Sequence, residues 1–78
     1  MYYHISMEEN KINLFTQREK EVLALILKGY KNNEIAKELF ITNHTVKAHL
    51  AKIYDKIGVN NKVQAAIYIL QNGMDKYL

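Results

Sequence analysis

The stretch that decides the fold is residues 33–53, which read NEIAKELFITNHTVKAHLAKI. Its first part places apolar side chains at helical spacing, and Asn32 just ahead of it is the predicted N-cap. The pattern is interrupted at positions 40–42, where Thr42 is again a favoured N-cap residue. From Val46 a second apolar stripe recurs every three or four residues. A short helix, a tight connection and a longer helix are the layout of a helix-turn-helix.

Two further helices flank this unit. Thr16 and Glu19 have the spacing of a capping box, which predicts a first helix over about 17–28. Asn61 is the predicted N-cap of a last helix over about 62–72. With the longer helix of the central unit over about 43–57, the pattern predicts four helices and no strand hairpin. The predicted fold class is therefore all-α, with loops of a few residues.

A chain of 78 residues is expected to form one domain. We predict a flexible N-terminal arm over residues 1–13 and a helical domain over residues 14–78. Cysteine is absent, which excludes a disulfide framework and a cysteine zinc site. No apolar run reaches the roughly 18 residues of a membrane span, and Glu8 and Glu9 argue against a signal peptide. We therefore expect no membrane partner and a cytoplasmic location, at the nucleoid when bound to DNA.

The net charge of +3 comes entirely from the second half of the chain. Residues 1–41 hold six basic and six acidic side chains, whereas residues 42–78 hold five lysines and two aspartates. A local excess of lysine favours a polyanion, such as a nucleic acid, as the partner.

The face of the third predicted helix that points away from Val46 is small or basic, with no acidic residue before Asp55. One α-helix fits the major groove of DNA, and small side chains allow close approach to the base edges and to thymine methyl groups. Lys47 reaches either a guanine or a phosphate, and His44 faces DNA or solvent. The expected base-contacting residues are His44, Lys47, Ala48 and Ala51.

The predicted helices contain a specific set of residues between Thr16 and Ala65. They are Thr16-x-Arg18-Glu19-x-Glu21-Val22-Leu23 and Gly29, then Asn33-Glu34-Ile35-Ala36-x-x-Leu39-x-Ile41-Thr42-x-x-Thr45-Val46-Lys47-x-His49, and last Ile53-x-x-Lys56-Ile57-Gly58-Val59 with Gln64-Ala65. With these residues the chain resembles the LuxR-type (GerE-type) helix-turn-helix domain of bacterial transcription regulators. The resemblance implies that the third helix is the recognition helix and that the fourth helix supports dimers.

The resemblance also implies a sequence-specific regulator of transcription that binds double-stranded DNA at two half-sites. Lys31 departs from the family pattern, which usually has a small N-cap residue there, so Asn32 is expected to take over the capping. Family members usually carry a larger N-terminal sensor or receiver domain; Met1, with only 13 residues ahead of the domain, favours a stand-alone member. The residues expected to hold DNA phosphates are Asn33, Thr45, Lys52, Asn61 and Lys62.

The fourth predicted helix has two apolar faces, which is more than a short helix in a small domain needs. We assign Ala65 and Ile69 to the core. This leaves an exposed stripe that we expect to form a homodimer interface, and its members are Val63, Ile67 and Leu70. In the alternative, Leu70 covers the N-terminal arm.

Two other functions remain open at this point: a module like region 4 of a sigma factor, and a helix-turn-helix that binds proteins without binding DNA. A region 4 module fits poorly with a capped fourth helix, and binding of core RNA polymerase would test it. RNA polymerase is also a candidate partner of the DNA-binding regulator. His44 and His49 stand about 140° apart on a helix, so they do not share a metal ion. No nucleophile–base pair, phosphate-binding glycine loop or carboxylate cluster occurs, so we expect no enzymatic activity and no cofactor.

Overall fold

The computed structural model describes residues 11–78. Within them the chain forms four α-helices after helical Lys11 and Ile12, followed by a short 3₁₀-helix and no strand. These elements are α1 (Gln17–Leu27), α2 (Asn32–Leu39), α3 (Asn43–Ile57), α4 (Lys62–Gln71) and the 3₁₀-helix (Asp75–Tyr77). The predicted all-α fold of four helices is confirmed. No helix in the part of the chain that the structure describes is long and apolar enough to cross a membrane.

Three of the predicted helix caps are confirmed. In the capping box of α1, the Glu19 N–H donates to Thr16 Oγ1 at 3.1 Å and the Thr16 N–H donates to Glu19 Oε1 at 2.9 Å. Thr42 Oγ1 accepts from the Thr45 N–H at 3.1 Å at the start of α3. Asn61 Oδ1 accepts from the Gln64 N–H at 2.9 Å at the start of α4. Each cap satisfies an N–H group that the helix itself leaves without a partner.

The prediction that Asn32 caps α2 is wrong. The N-cap is Lys31, and Asn32 is the first helical residue. A lysine side chain has no acceptor, so only the return half of a capping box forms, in which the Lys31 N–H donates to Glu34 Oε1 at 2.7 Å. The Asn32 side chain is used elsewhere, because its Oδ1 accepts from Lys62 Nζ at 2.9 Å and so joins α2 to α4.

In the connection between α2 and α3 the chain reverses at Phe40, whose backbone has the left-handed conformation at φ 57° and ψ 43°. The next N–H group, that of Ile41, donates to the Ala36 carbonyl at 2.9 Å and closes the turn. Ile41 packs against the core, whereas the Phe40 side chain is 94% exposed. The backbone of Phe40 therefore shapes the turn, and its side chain adds no packing.

The core lies around α3, which contacts each of the other three helices. Its buried stripe consists of Val46, Leu50 and Ile53, as predicted. Because this stripe faces the other helices, the opposite face of α3 is left on the surface of the domain.

Most of the predicted flexible arm, residues 1–10, lies outside the described residues. Its last part is described, and there Ile12 is only 4% exposed and belongs to the core. Beside it, Lys11 Nζ donates to Asn72 Oδ1 at 2.7 Å, which ties this segment to the end of α4. The core thus includes a residue that the sequence analysis assigns to the arm.

Candidate nucleic-acid interface

The outward face of α3 carries the four side chains predicted to contact bases. His44, Lys47, Ala48 and Ala51 are all exposed, and so is Lys52 on the flank of the same face. Neither the imidazole nor the two ammonium groups form a hydrogen bond or an ion pair with any residue from 11 to 78. The first acidic side chain on this face is Asp55, near the C-terminal end of the helix. The structure therefore brings the predicted base-contacting residues together on one free surface.

Thr45 is less available than its neighbours on α3. It is half-buried, and its Oγ1 forms a hydrogen bond of 3.0 Å with Thr42 Oγ1, which already caps the helix. The first two N–H groups of the helix, on Asn43 and His44, have no partner among the described residues. Free N–H groups at a helix N-terminus favour a phosphate.

The other predicted phosphate-contacting residues lie at the N-termini of α2 and α4. Asn33 is exposed and lines a shallow groove with Asn43, so it lies beside the start of α3. Asn61 is exposed, and its amide keeps the NH₂ group free because only Oδ1 is used in the cap. Lys62 is paired with the neutral amide of Asn32, and it has no acidic partner among the described residues. Each of these side chains has hydrogen-bond donors left for an anion.

Lys31 belongs to the same surface and was missed by the sequence analysis. It is exposed and lines a second shallow groove together with Lys62. The only signal in the sequence is its unusual place at the N-cap of α2, where a side chain without an acceptor leaves the first N–H groups open. Two lysines and an open helix N-terminus thus lie together at one edge of the interface.

A buried ion pair fixes the C-terminal half of α3 to the start of α1. Glu19 is only 2% exposed, and its Oε1 accepts from Lys56 Nζ at 2.6 Å. Burial would raise the pKa of the Glu19 carboxyl, but the hydrogen bonds from Lys56 and from the Thr16 N–H, together with the electrostatic influence of Lys56 and His49, outweigh it and lower the pKa below 4.5. The charge of Lys56 is therefore neutralised inside the domain.

The two faces of α4 differ as predicted. Ala65 and Ile69 are fully buried, at 0% exposure. The other face is exposed, at 69% for Val63, 46% for Ile67 and 56% for Leu70. These three side chains form an apolar surface, here called the α4 patch. The face assignment is confirmed, and an exposed apolar surface of this kind is typical of an interaction site.

Comparison with known proteins identifies the domain. The family model for GerE, described as bacterial regulatory proteins of the luxR family, matches residues 13–69. The chain belongs to this luxR family. The resemblance inferred from the sequence is therefore confirmed, and the match covers α1 to α3 and most of α4.

This luxR-family domain is also similar to curated response regulators. It is 46% identical over 61 residues to the response regulator protein VraR of Staphylococcus aureus (strain Mu3 / ATCC 700698). The same identity over the same length is found for the VraR proteins of Staphylococcus saprophyticus and Staphylococcus epidermidis. In each case the aligned part covers 78% of this chain and 29% of the relative. The chain thus spans less than a third of the length of these curated relatives.

Membership in the luxR family supports a DNA-binding domain of a transcription regulator, and it favours a regulatory over an enzymatic role. In the described part of the domain, no group of three or more His, Asp or Glu side chains is placed to hold a metal ion. His44 is exposed at the start of α3, while His49 is half-buried near Glu19.

Proposed function

We propose that this luxR-family domain binds double-stranded DNA in a sequence-specific manner and regulates transcription, with α3 lying in the major groove. The observation that carries the proposal is the outward face of α3, where two exposed lysines flank two alanines. Neither lysine has a partner among residues 11–78, and no acidic side chain occurs on α3 before Asp55. Cations attract the phosphate backbone, and alanines let the helix approach the base edges closely. His44, Lys47, Ala48 and Ala51 then lie at the bases.

Phosphate contacts on either side of the groove set the position of α3. Lys52 and Thr45 hold the backbone from the flank of α3, and Asn33 holds it from α2. Asn61 and Lys62 hold it from the start of α4, and Lys31 adds a further cation there. Contacts from three helices fix the register of the domain on the duplex, which is what such contacts do in DNA-binding proteins.

Two copies of the domain pair through the α4 patch and read two half-sites. The exposure of Val63, Ile67 and Leu70 supports this arrangement, because a two-fold axis through the patch would bury it against itself. Helix-turn-helix dimers bind half-sites that repeat with the same symmetry. RNA polymerase remains a candidate partner of the bound dimer, and the cytoplasm, at the nucleoid, remains the expected location.

The function is tested by titrating a labelled duplex of selected sequence and a random duplex at several salt concentrations. A sequence-specific regulator binds the selected duplex more tightly, and its affinity falls steeply as salt rises, because bound cations leave the DNA. Equal and negligible affinity for both duplexes would instead favour a helix-turn-helix that binds proteins only.

The substitution Lys47→Ala is expected to weaken binding of the selected duplex while the fold is kept. Lys47 is exposed and has no partner in the described part of the chain, so the free energy of unfolding should change by less than about 0.5 kcal/mol. Loss of a base contact costs about 1–3 kcal/mol and relaxes selectivity at one base position. Binding-site selection together with a thermal melt measures both effects.

The matched control for Lys47→Ala is Lys76→Ala. Lys76 is also an exposed lysine, but it lies in the 3₁₀-helix after α4, where its Nζ is 5.5 Å from the centre of the Tyr77 ring, and it is not among the residues proposed to contact DNA. The control should bind almost as the unchanged protein does. Unchanged selectivity of the Lys47→Ala variant would contradict the placement of α3 in the groove.

The substitution Lys62→Ala is expected to act on all DNA alike. Because Lys62 lies at the start of α4, and not on the outward face of α3, it is expected to contact a phosphate rather than a base. Affinity should drop about equally for the selected and the random duplex, and the slope of log K against log salt should shrink by about one unit. A loss confined to the selected duplex would mean that Lys62 reads bases.

A further inference from the structure

The outward face of α3, with His44, Lys47, Ala48, Ala51 and Lys52, is here called the reading face. Its side chains differ in the hydrogen-bonding groups that they present to a base. An ammonium group donates hydrogen bonds and accepts none, and an alanine offers only a methyl group. From Lys47 to Lys52 the exposed residues of α3 are two lysines and two alanines. Over these six residues, which are less than two turns, the exposed side chains therefore hold donors and methyl groups and no hydrogen-bond acceptor. His49, in the same segment, is half-buried on the other side of the helix from Ala51 and Lys47 and is not counted among them.

The acceptor side chains nearest to this segment are not placed to accept hydrogen bonds from the bases that face it. The hydroxyl of Thr45 belongs to a half-buried side chain and is engaged with Thr42 Oγ1 at 3.0 Å. The carboxylate of Asp55 follows Ala51 by another full turn, which is about 5 Å or more along the helix axis. His44 either donates or accepts through its imidazole, so the base opposite it is left out of the inference.

The four bases also differ in whether their major-groove edges present acceptors and methyl groups or amino donors. Guanine presents two acceptors, O6 and N7, and thymine presents the acceptor O4 and a methyl group. Cytosine presents the N4 amino group and adenine the N6 amino group, both of which are donors that need an acceptor on the protein. A surface of donors and methyl groups therefore suits the first pair of bases and lacks the means to recognise the amino groups of the second.

We propose that the bases read by the segment from Lys47 to Ala51 are guanine and thymine. This inference rests on the proposed placement of α3 in the major groove. Lys47 donates to the acceptor edge of a guanine, and Ala48 and Ala51 pack against the methyl groups of neighbouring thymines. The half-site is thus a guanine flanked by thymines on the bases that face α3.

The test changes the DNA and leaves the protein intact, so that no variant can fail by unfolding. A half-site is first selected from random duplexes. Each thymine is then replaced in turn by deoxyuridine, which lacks only the methyl group, and each guanine by 7-deazaguanine, which lacks only the N7 acceptor. Removal of one methyl contact should weaken binding about three- to fivefold, and removal of N7 about five- to tenfold.

A protein variant then assigns the guanine contact. With Lys47→Ala, replacement of the same guanine by 7-deazaguanine should have no further effect, whereas the effect of deoxyuridine should persist. Lys76→Ala again serves as the control and should retain both effects.

The outcomes separate the inference from the proposed function on which it rests. If no duplex is selected over random DNA, the proposed function fails, and the inference fails with it. If a half-site is selected but its thymines tolerate deoxyuridine, or its guanines tolerate 7-deazaguanine, the protein binds DNA and the inference alone is overturned.

Discussion

The substitution Ile69→Asp is expected to unfold the domain, whereas Ile67→Asp, two positions earlier on α4, is expected to leave it folded. Ile69 is fully buried and Ile67 is 46% exposed. A charge placed in the core without a partner costs several kcal/mol, and the lost packing of an isoleucine adds about 2–5 kcal/mol. A domain of this size has about 4–12 kcal/mol of stability in total. Circular dichroism and a thermal melt distinguish the two variants.

The same pair of faces provides the test of the homodimer. The double variant with Ile67→Asp and Leu70→Asp places two like charges on the α4 patch, and two patches that face each other would then repel. Sedimentation should show a folded monomer, and binding to a duplex with two half-sites should lose its cooperativity. A folded double variant that still dimerises would place the interface elsewhere, and an unfolded one would mean that the α4 patch belongs to the core.

The second large effect is expected from Glu19→Ala. This substitution removes both the return half of the α1 capping box and the only carboxylate that Lys56 contacts in the described residues. Loss of a helix cap costs about 1 kcal/mol, and loss of a buried partner costs up to about 3–5 kcal/mol. The Lys56 side chain is 33% exposed and can turn to solvent, so the loss of the pair should cost less than that range, at about 1–2 kcal/mol, and the total loss in unfolding free energy should be about 2–3 kcal/mol. Chemical denaturation measures it.

The control for Glu19→Ala is Glu21→Ala. Glu21 also pairs with a basic residue, Arg18, at 3.2 Å, but both side chains are about two-fifths exposed, at 42% and 41%. An exposed pair of this kind contributes less than about 1 kcal/mol. Similar losses for the two variants would contradict a special role for the buried pair.

The contribution of Glu19 should depend on pH in a defined direction. Because the pKa of the Glu19 carboxyl is lowered in the folded state, its contribution is fully present above the unfolded pKa of about 4.5. It is lost as the pH falls through the lower, folded pKa. The difference in stability between the unchanged protein and Glu19→Ala should therefore be constant near neutral pH and shrink below about pH 4.5. A difference that grows on acidification would contradict the assignment.

Local patterns in the sequence predict most of the fold. The caps at Thr16, Thr42 and Asn61 need only residues within four positions, and the two faces of α4 follow from helical periodicity alone. Asn32 shows where such reasoning stops, because its amide accepts from Lys62, 30 positions away, rather than capping its own helix. The partner of Glu19 is 37 positions away, and no spacing rule relates the two.

In the candidate site, too, the sequence predicts what depends on local pattern and misses what depends on contacts between distant residues. The outward face of α3 follows from helical periodicity, since it lies opposite the apolar stripe. Which of its lysines remain free is a tertiary property: Lys56 looks like Lys52 in the sequence, but only Lys56 meets a buried carboxylate. Lys31 belongs to the candidate interface because it lies beside Lys62 in the folded chain. The sequence alone gives no sign that these two residues are close.

The exposed turn at Phe40 is also a suitable position for attaching a fluorescent label. Its side chain makes almost no packing contribution, and it stands three positions ahead of the first residue of α3. The chain contains no cysteine, so Phe40→Cys introduces a single thiol into the whole sequence. A fluorophore coupled there sits beside α3 yet outside the core. Its emission reports the arrival of a duplex in real time and makes association and dissociation rates measurable without labelling the DNA.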